Sequence, residues 1–167
     1  DVDVINGFGA LQLNHPGSGV TLRSLLRQDL LINTGGSEPN VTLDNSNFSG
    51  DKVTQDALGY LHANCGHCHR EGSTAGERYD LRTWLSVESL TSVETTDTFQ
   101  HYVNRLTAVP ESELEYRIKG GSPDDSELIR RMLLRGPPAQ MPPTGTELVD
   151  EAALTALRAW ILTLPPP

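Results

Sequence analysis

Residues 65–69 read Cys-Gly-His-Cys-His. Cys65 and Cys68 are the only cysteines of the chain. Two intervening residues make too short a loop for an ordinary structural disulfide, so the pair points to redox chemistry, metal binding or cofactor attachment. With His69 directly after the second cysteine, the spacing is that of c-type haem attachment, Cys-x-x-Cys-His. Two thiols so placed can each form a thioether to one of the two vinyl groups of a haem. The adjoining histidine is then held beneath the iron as its proximal ligand. A thioredoxin-like dithiol would need a β-α-β setting, and none is visible. A structural zinc site would need two further ligands, and only His62, His67, His69 and His101 lie nearby, with no second cysteine pair. A chance match is the remaining rival. Covalent haem attachment uses both cysteines and is the reading adopted.

Reading outward toward the N-terminus, Thr54 caps a helix that runs through Asp56, Ala57, Leu58 and Leu61 into Cys65. Gly59 weakens such a helix by about 1 kcal/mol relative to Ala, so it reads as a point of close helix crossing. His62 reads as a surface histidine. His67, inside the motif, is expected to point away from the iron.

Toward the C-terminus, a second axial ligand is sought, and Met141 is the candidate. It lies in Gly136-Pro137-Pro138-Ala139-Gln140-Met141-Pro142-Pro143, where the flanking prolines keep the backbone extended and out of helix. A thioether is a weak ligand, so a stiff loop lowers the cost of ordering it. Met132 sits on the apolar face of a helix and reads as a core residue. His101 and Met132 are the alternatives for the distal position.

Other segments are less informative. Residues 1–53 form an extension with one helix, from about Val20 to Ile32, on Leu22, Leu25, Leu26 and Leu30. That much apolar surface is expected to pack on the rest of the molecule. Asn40-Val41-Thr42 and Asn47-Phe48-Ser49 match the glycosylation triplet, and Asp44-Asn45-Ser46-Asn47 faintly resembles a calcium loop without its glycine. Gly72, Ser73, Thr74 and Gly76 read as loop. Phe99, Tyr102, Val103 and Leu106 suggest a short helix, and Leu114, Tyr116 and Ile118 an extended piece. Ser122 caps a helix with Pro123 at its first position and Leu128, Ile129, Met132 and Leu133 on its apolar face. Asp150 starts a last helix through Leu154, Leu157, Trp160, Ile161 and Leu164.

Composition narrows the function. The 167 residues carry 13 Lys+Arg against 22 Asp+Glu, a net charge of −9 that repels phosphate backbones and removes the usual footprint of nucleic-acid binding. Mean hydropathy is −0.36, and no run approaches the roughly 18 apolar residues of a transmembrane segment. Hydrophobic residues make up 37% and aromatics 5%, a modest core that a haem would supplement. Asp-Val-Asp-Val at the N-terminus is no signal peptide, as expected of a mature chain.

Across residues 54–167 the sequence resembles the class I monohaem cytochrome c domain. The resemblance is carried by Leu61-His62-Ala63-Asn64-Cys65-Gly66-His67-Cys68-His69, by Gln140-Met141-Pro142-Pro143 and by Leu157-Arg158-Ala159-Trp160-Ile161. It implies an all-α, loop-rich fold of three to five helices wrapped around one covalent haem c. Cys65 and Cys68 would be the attachment points, and His69 and Met141 the iron ligands. It implies that the first and last helices cross near Gly59, Tyr60, Leu157 and Trp160. The implied role is electron transfer between redox partner proteins in a periplasmic or otherwise extracytoplasmic location, and the acidic charge of residues 54–167 adds the expectation of a basic docking face on the partner. The domain of a larger dehydrogenase or peroxidase, or a haem-based gas sensor, are the alternatives. One departure stands out: the family often has a proline shortly after the motif, and residues 70–83 contain none. The acceptor for the second N–H of His69 is therefore unassigned, with a backbone carbonyl the expected partner.

Overall fold

The computed structural model describes residue 13 and residues 18–30, 50–86, 91–136 and 138–167. The glycosylation triplets, the Asp44 loop, Leu31, Ile32 and most of the extension 1–53 lie outside the described residues, as does Pro137. The described chain is helical, with isolated bridges in place of strands. Among the described residues no helix is long and apolar enough to cross a membrane.

Helix α1 spans Leu22–Arg27. Thr21 caps it reciprocally: its hydroxyl accepts from the Ser24 N–H at 3.1 Å, while Ser24 Oγ accepts from the Thr21 N–H at 2.8 Å. The helix is shorter than the stretch to Ile32 read from sequence. Asp29 takes a left-handed conformation, φ 53°, that ends it, and Leu30 stands exposed.

Helix α2, Lys52–Asn64, is capped by Asp51, whose carboxylate accepts from the Thr54 N–H at 2.9 Å. The sequence reading put the cap at Thr54. The helix starts three residues earlier, where the Asp51 carboxylate accepts the N–H of Thr54 itself, and Thr54 is buried within the helix. The buried face is Thr54, Ala57, Leu58, Leu61 and His62, a helical stripe.

A last helix, Glu151–Thr163, lies against α2. Asp150 caps it through the Ala153 N–H at 2.9 Å. Its Leu157, Trp160 and Ile161 are fully buried with Ala57, Leu58 and Leu61 of α2, and this pair of helices forms the centre of the core. Gly59 is not at the crossing, contrary to the sequence reading. It is exposed, and a Cβ there would meet nothing within 4 Å. Ala57 and Leu61 lie two residues to either side, on the opposite face, and supply the contact.

Between these two helices the chain makes shorter elements. Helix α3, Thr74–Tyr79, replaces the loop read from Gly72, Ser73, Thr74 and Gly76. Ser73 is its cap, accepting from the Gly76 N–H at 3.0 Å and donating to the Arg70 carbonyl at 2.6 Å. Helix α4, Asp97–Tyr102, follows a 3-10 turn at Val93–Thr95. After α4 the chain doubles back, bridging Val103 to Ile118 and Leu106 to Tyr116, so the extended piece 114–118 takes the form of single bridges. The helix expected from Ser122 is split into a 3-10 turn, Pro123–Asp125, and helix α5, Glu127–Leu133. Ser126 breaks it: its hydroxyl accepts from the Lys119 N–H at 2.9 Å and donates to the Ser122 carbonyl at 3.0 Å. With the last helix numbered α6, the order is α1 to α6, and α5 also packs on α6.

Candidate functional site

The end of α2 presents the motif. The helix passes into a tight turn in which the Cys68 and His69 N–H groups donate to the Cys65 carbonyl at 3.1 and 2.9 Å. Residues at i, i+3 and i+4 of a helical turn share a side, so Cys65, Cys68 and His69 project together. Gly66 is required for this turn. A Cβ on it would lie 2.5 Å from the His62 carbonyl oxygen and 3.1 Å from the Trp84 ring.

These three side chains line one wall of a cavity of about 330 Å³. Met141, Pro142 and Pro143 line it from the loop between α5 and α6, and Met132 and Leu128 from α5. All four residues singled out by sequence thus meet at one cavity, together with the alternative Met132, which is also a buried core residue. His101 does not line it. Its Nδ1 sits 2.9 Å from Asp80 on another face of the molecule.

The loop that carries Met141 is held by hydrogen bonds more than by its prolines. The Gln140 amide accepts from the Gly136 N–H at 2.6 Å and donates to the Pro142 and Thr146 carbonyls at 3.1 and 3.0 Å. Thr146 Oγ1 donates to the Pro142 carbonyl at 3.0 Å. The Met141 N–H donates to the Arg131 carbonyl at 3.0 Å, which fastens the loop to α5. Gln140 and Thr146 were not singled out from sequence. A glutamine beside the methionine was the only available signal.

The two thiols are not joined to each other. Burial, with Cys68 beside it, pushes the Cys65 thiol up to about 12. A pair used for thiol exchange needs the opposite shift, toward the thiolate.

His69 is set for ligation. Burial is the main cause that lowers its pKa to about 4, with Arg131 adding to the shift and the Leu81 main chain hydrogen-bonding against it. The ring is therefore neutral at neutral pH and keeps one nitrogen lone pair. The other partner of the ring is Tyr102, whose hydroxyl lies 3.1 Å from Nδ1. The Thr83 N–H donates to the His69 carbonyl at 2.8 Å, which holds segment 81–83 against the motif. The Leu81 main chain and the Tyr102 hydroxyl are thus the two candidate partners for the ring's one N–H, and which atom donates in the Tyr102 pair depends on the tautomer. Neither signal was readable, because both partners come from other segments of the chain.

His62 is buried, not a surface histidine. Its Nδ1 accepts from the Leu85 N–H at 3.0 Å and its ring packs 4.4 Å from Trp84. Burial, followed by the neighbouring His67, lowers its pKa. His67 faces Trp84 rather than the cavity, at 6.1 Å between ring centroids.

The polar side of the cavity holds Glu127, Arg131 and Arg117, all buried. Glu127 accepts from Arg130 at 2.7 Å and from Arg131 at 2.8 Å. Burial alone would raise its pKa, but the two guanidinium groups and the Leu114 N–H lower it. Thr83 Oγ1 is buried, lines the cavity and has no hydrogen-bond partner. Such an orphan hydroxyl beside an otherwise largely apolar wall fits a bound group that brings a polar atom of its own. Among the described residues, no three His, Cys, Asp or Glu side chains converge as they would around a bare metal ion. Two thiols, an imidazole and a thioether on one apolar cavity form a donor set that suits a haem.

Compared with known proteins, the chain matches no family model, no curated protein and no solved structure.

Proposed function

We propose that this chain is a monohaem c-type cytochrome that passes single electrons between redox partner proteins outside the cytoplasm. The observation that carries the reading is the meeting, at one cavity, of the Cys65–Cys68–His69 turn and the Met141 loop. Those two segments are separated by most of the domain, and nothing in the helix packing requires a methionine at that place. Each thiol would add its S–H across one vinyl group, forming a C–S bond while the hydrogen passes to the neighbouring vinyl carbon, with no net oxidation. His69 and Met141 would be the side chains that hold the iron. When bound, the haem supplies a one-electron couple, and His/Met ligation favours its reduced form. The apolar walls from Leu81, Leu128 and Met132 exclude water, and Gln140 fixes the loop that presents the thioether. A haem held by both His69 and Met141 would suit electron transfer rather than substrate turnover.

The test is expression of the chain in a bacterial periplasm that carries c-type maturation. Its intact mass is expected to exceed the polypeptide by one haem that resists acid-acetone extraction. The ferric spectrum is expected to show the methionine–iron charge-transfer band in the near infrared, and Met141→Ala to abolish it. Extractable haem, or zinc bound in its place, overturns the proposal.

A further inference from the structure

Tyr102 is the last residue of α4, and at 6% exposure its side chain has no use as a surface group. Its ring stands nearly perpendicular to the His69 ring, with an interplanar angle of 70° and centroids 6.4 Å apart. Its hydroxyl reaches Nδ1 of that ring at 3.1 Å, and the same residue lines the cavity. Tyr102 lies 33 positions after His69, so the fold brings the pair together. A buried phenol needs a polar partner, but a packing role would be met equally by phenylalanine.

We propose that Tyr102 is a positioning residue for His69: its oxygen accepts the Nδ1–H, fixes the tautomer that leaves Nε2 free, and adjusts how strongly the imidazole donates to a metal. This rests on the haem reading above. Only one nitrogen of a neutral imidazole carries the proton. If Nδ1 holds it, Nε2 offers a lone pair; the reverse arrangement leaves Nε2 protonated and unable to ligate. An acceptor on Nδ1–H also makes the ring a stronger donor, which favours the oxidised metal and lowers the midpoint potential. The Leu81 main chain favours the ring's one N–H as well and is the rival acceptor, and Tyr102 is the partner that can be altered without touching the backbone.

The experiment compares the holoprotein with Tyr102→Phe, which removes one oxygen and keeps the packing. Wild type is characterised first: absence of covalent haem there would fail the proposed function and not this inference. Given haem in wild type, the variant is expected to have a higher midpoint potential and shifted ferric EPR g-values, with an almost unchanged melting temperature. A lower melting temperature with unaltered potential and g-values overturns the inference, since Tyr102 is then packing alone and Leu81 holds the ring. Should the variant not mature, the ferrous wild type decides. A slowly exchanging His69 Nδ1–H with a nuclear Overhauser contact to the Tyr102 ring supports the proposal, and a missing contact overturns it.

Discussion

Glu127 is a buried carboxylate held by two arginines, one of which, Arg131, is itself buried. Pairs of this kind gain little over an apolar replacement, but breaking one by removing a single partner strands a charge. Glu127→Ala is expected to cost about 3–5 kcal/mol at neutral pH, read by denaturant unfolding. The pH dependence has a definite sign. The folded pKa lies below the ordinary value of 4.5, so the stabilisation is complete above pH 4.5 and is lost as the pH falls through the folded value. The gap between wild type and variant should therefore close in acid; a gap that widens there would show the pair is not formed. Such residues mark the limit of what sequence can say. That Cys65, Cys68, His69 and Met141 belong together was legible because Cys-x-x-Cys-His spacing and a methionine among prolines are distinctive local patterns, and the four line one cavity. Tyr102 matters through a partner on another segment, and although Glu127 and Gln140 bond within a few residues of themselves, nothing in the sequence says that these side chains turn inward to do so. His62 was misread for the same reason: the Leu85 N–H that occupies it lies 23 residues on.

Among the helices, legibility followed capping chemistry. Asp150 and the run behind it gave α6 correctly, because a carboxylate cap precedes an unbroken apolar stripe. The helix expected from Ser122 failed because Ser126 uses its hydroxyl on the Ser122 carbonyl and starts a second helix. Gly59 failed because helix propensity reports that glycine is costly without reporting which face it occupies. The structure turns that failure into a prediction. With open space where its Cβ would go, Gly59→Ala should stabilise the protein by about 0.5–1 kcal/mol, raising the thermal midpoint. If Gly59 were at the crossing with α6, the substitution would instead lower it.

At the scale of the molecule, the all-α character and the large share of loop were legible, while the particular irregular segments that reach the cavity were not. Helices announce themselves by periodicity; segments such as 81–86 or 134–149 are shaped by what they meet. Charge is a property of this scale too. Residues 54–167 carry 10 Lys+Arg and 16 Asp+Glu, a net charge of −6. Association with a basic redox partner should be steered by that field, which salt screens over about 10 Å at 0.1 M. The bimolecular electron-transfer rate with such a partner, followed by stopped flow, is expected to fall as ionic strength rises. A rate that is flat or rises with salt would place docking on apolar surface instead.

Arg117 has a consequence of a different order. Its guanidinium donates to the carbonyls of Tyr79, Asp80, His101 and Leu106, at 2.8, 2.8, 2.6 and 3.1 Å. Those four oxygens belong to the ends of α3 and α4 and to the turn after α4, which share no ladder of backbone bonds. A single cation inside a ring of carbonyl dipoles makes their separate openings one event, since releasing any of them leaves a buried charge less well solvated. The segments joined by Arg117 are therefore expected to open together in hydrogen exchange, not as a set of loops that breathe independently.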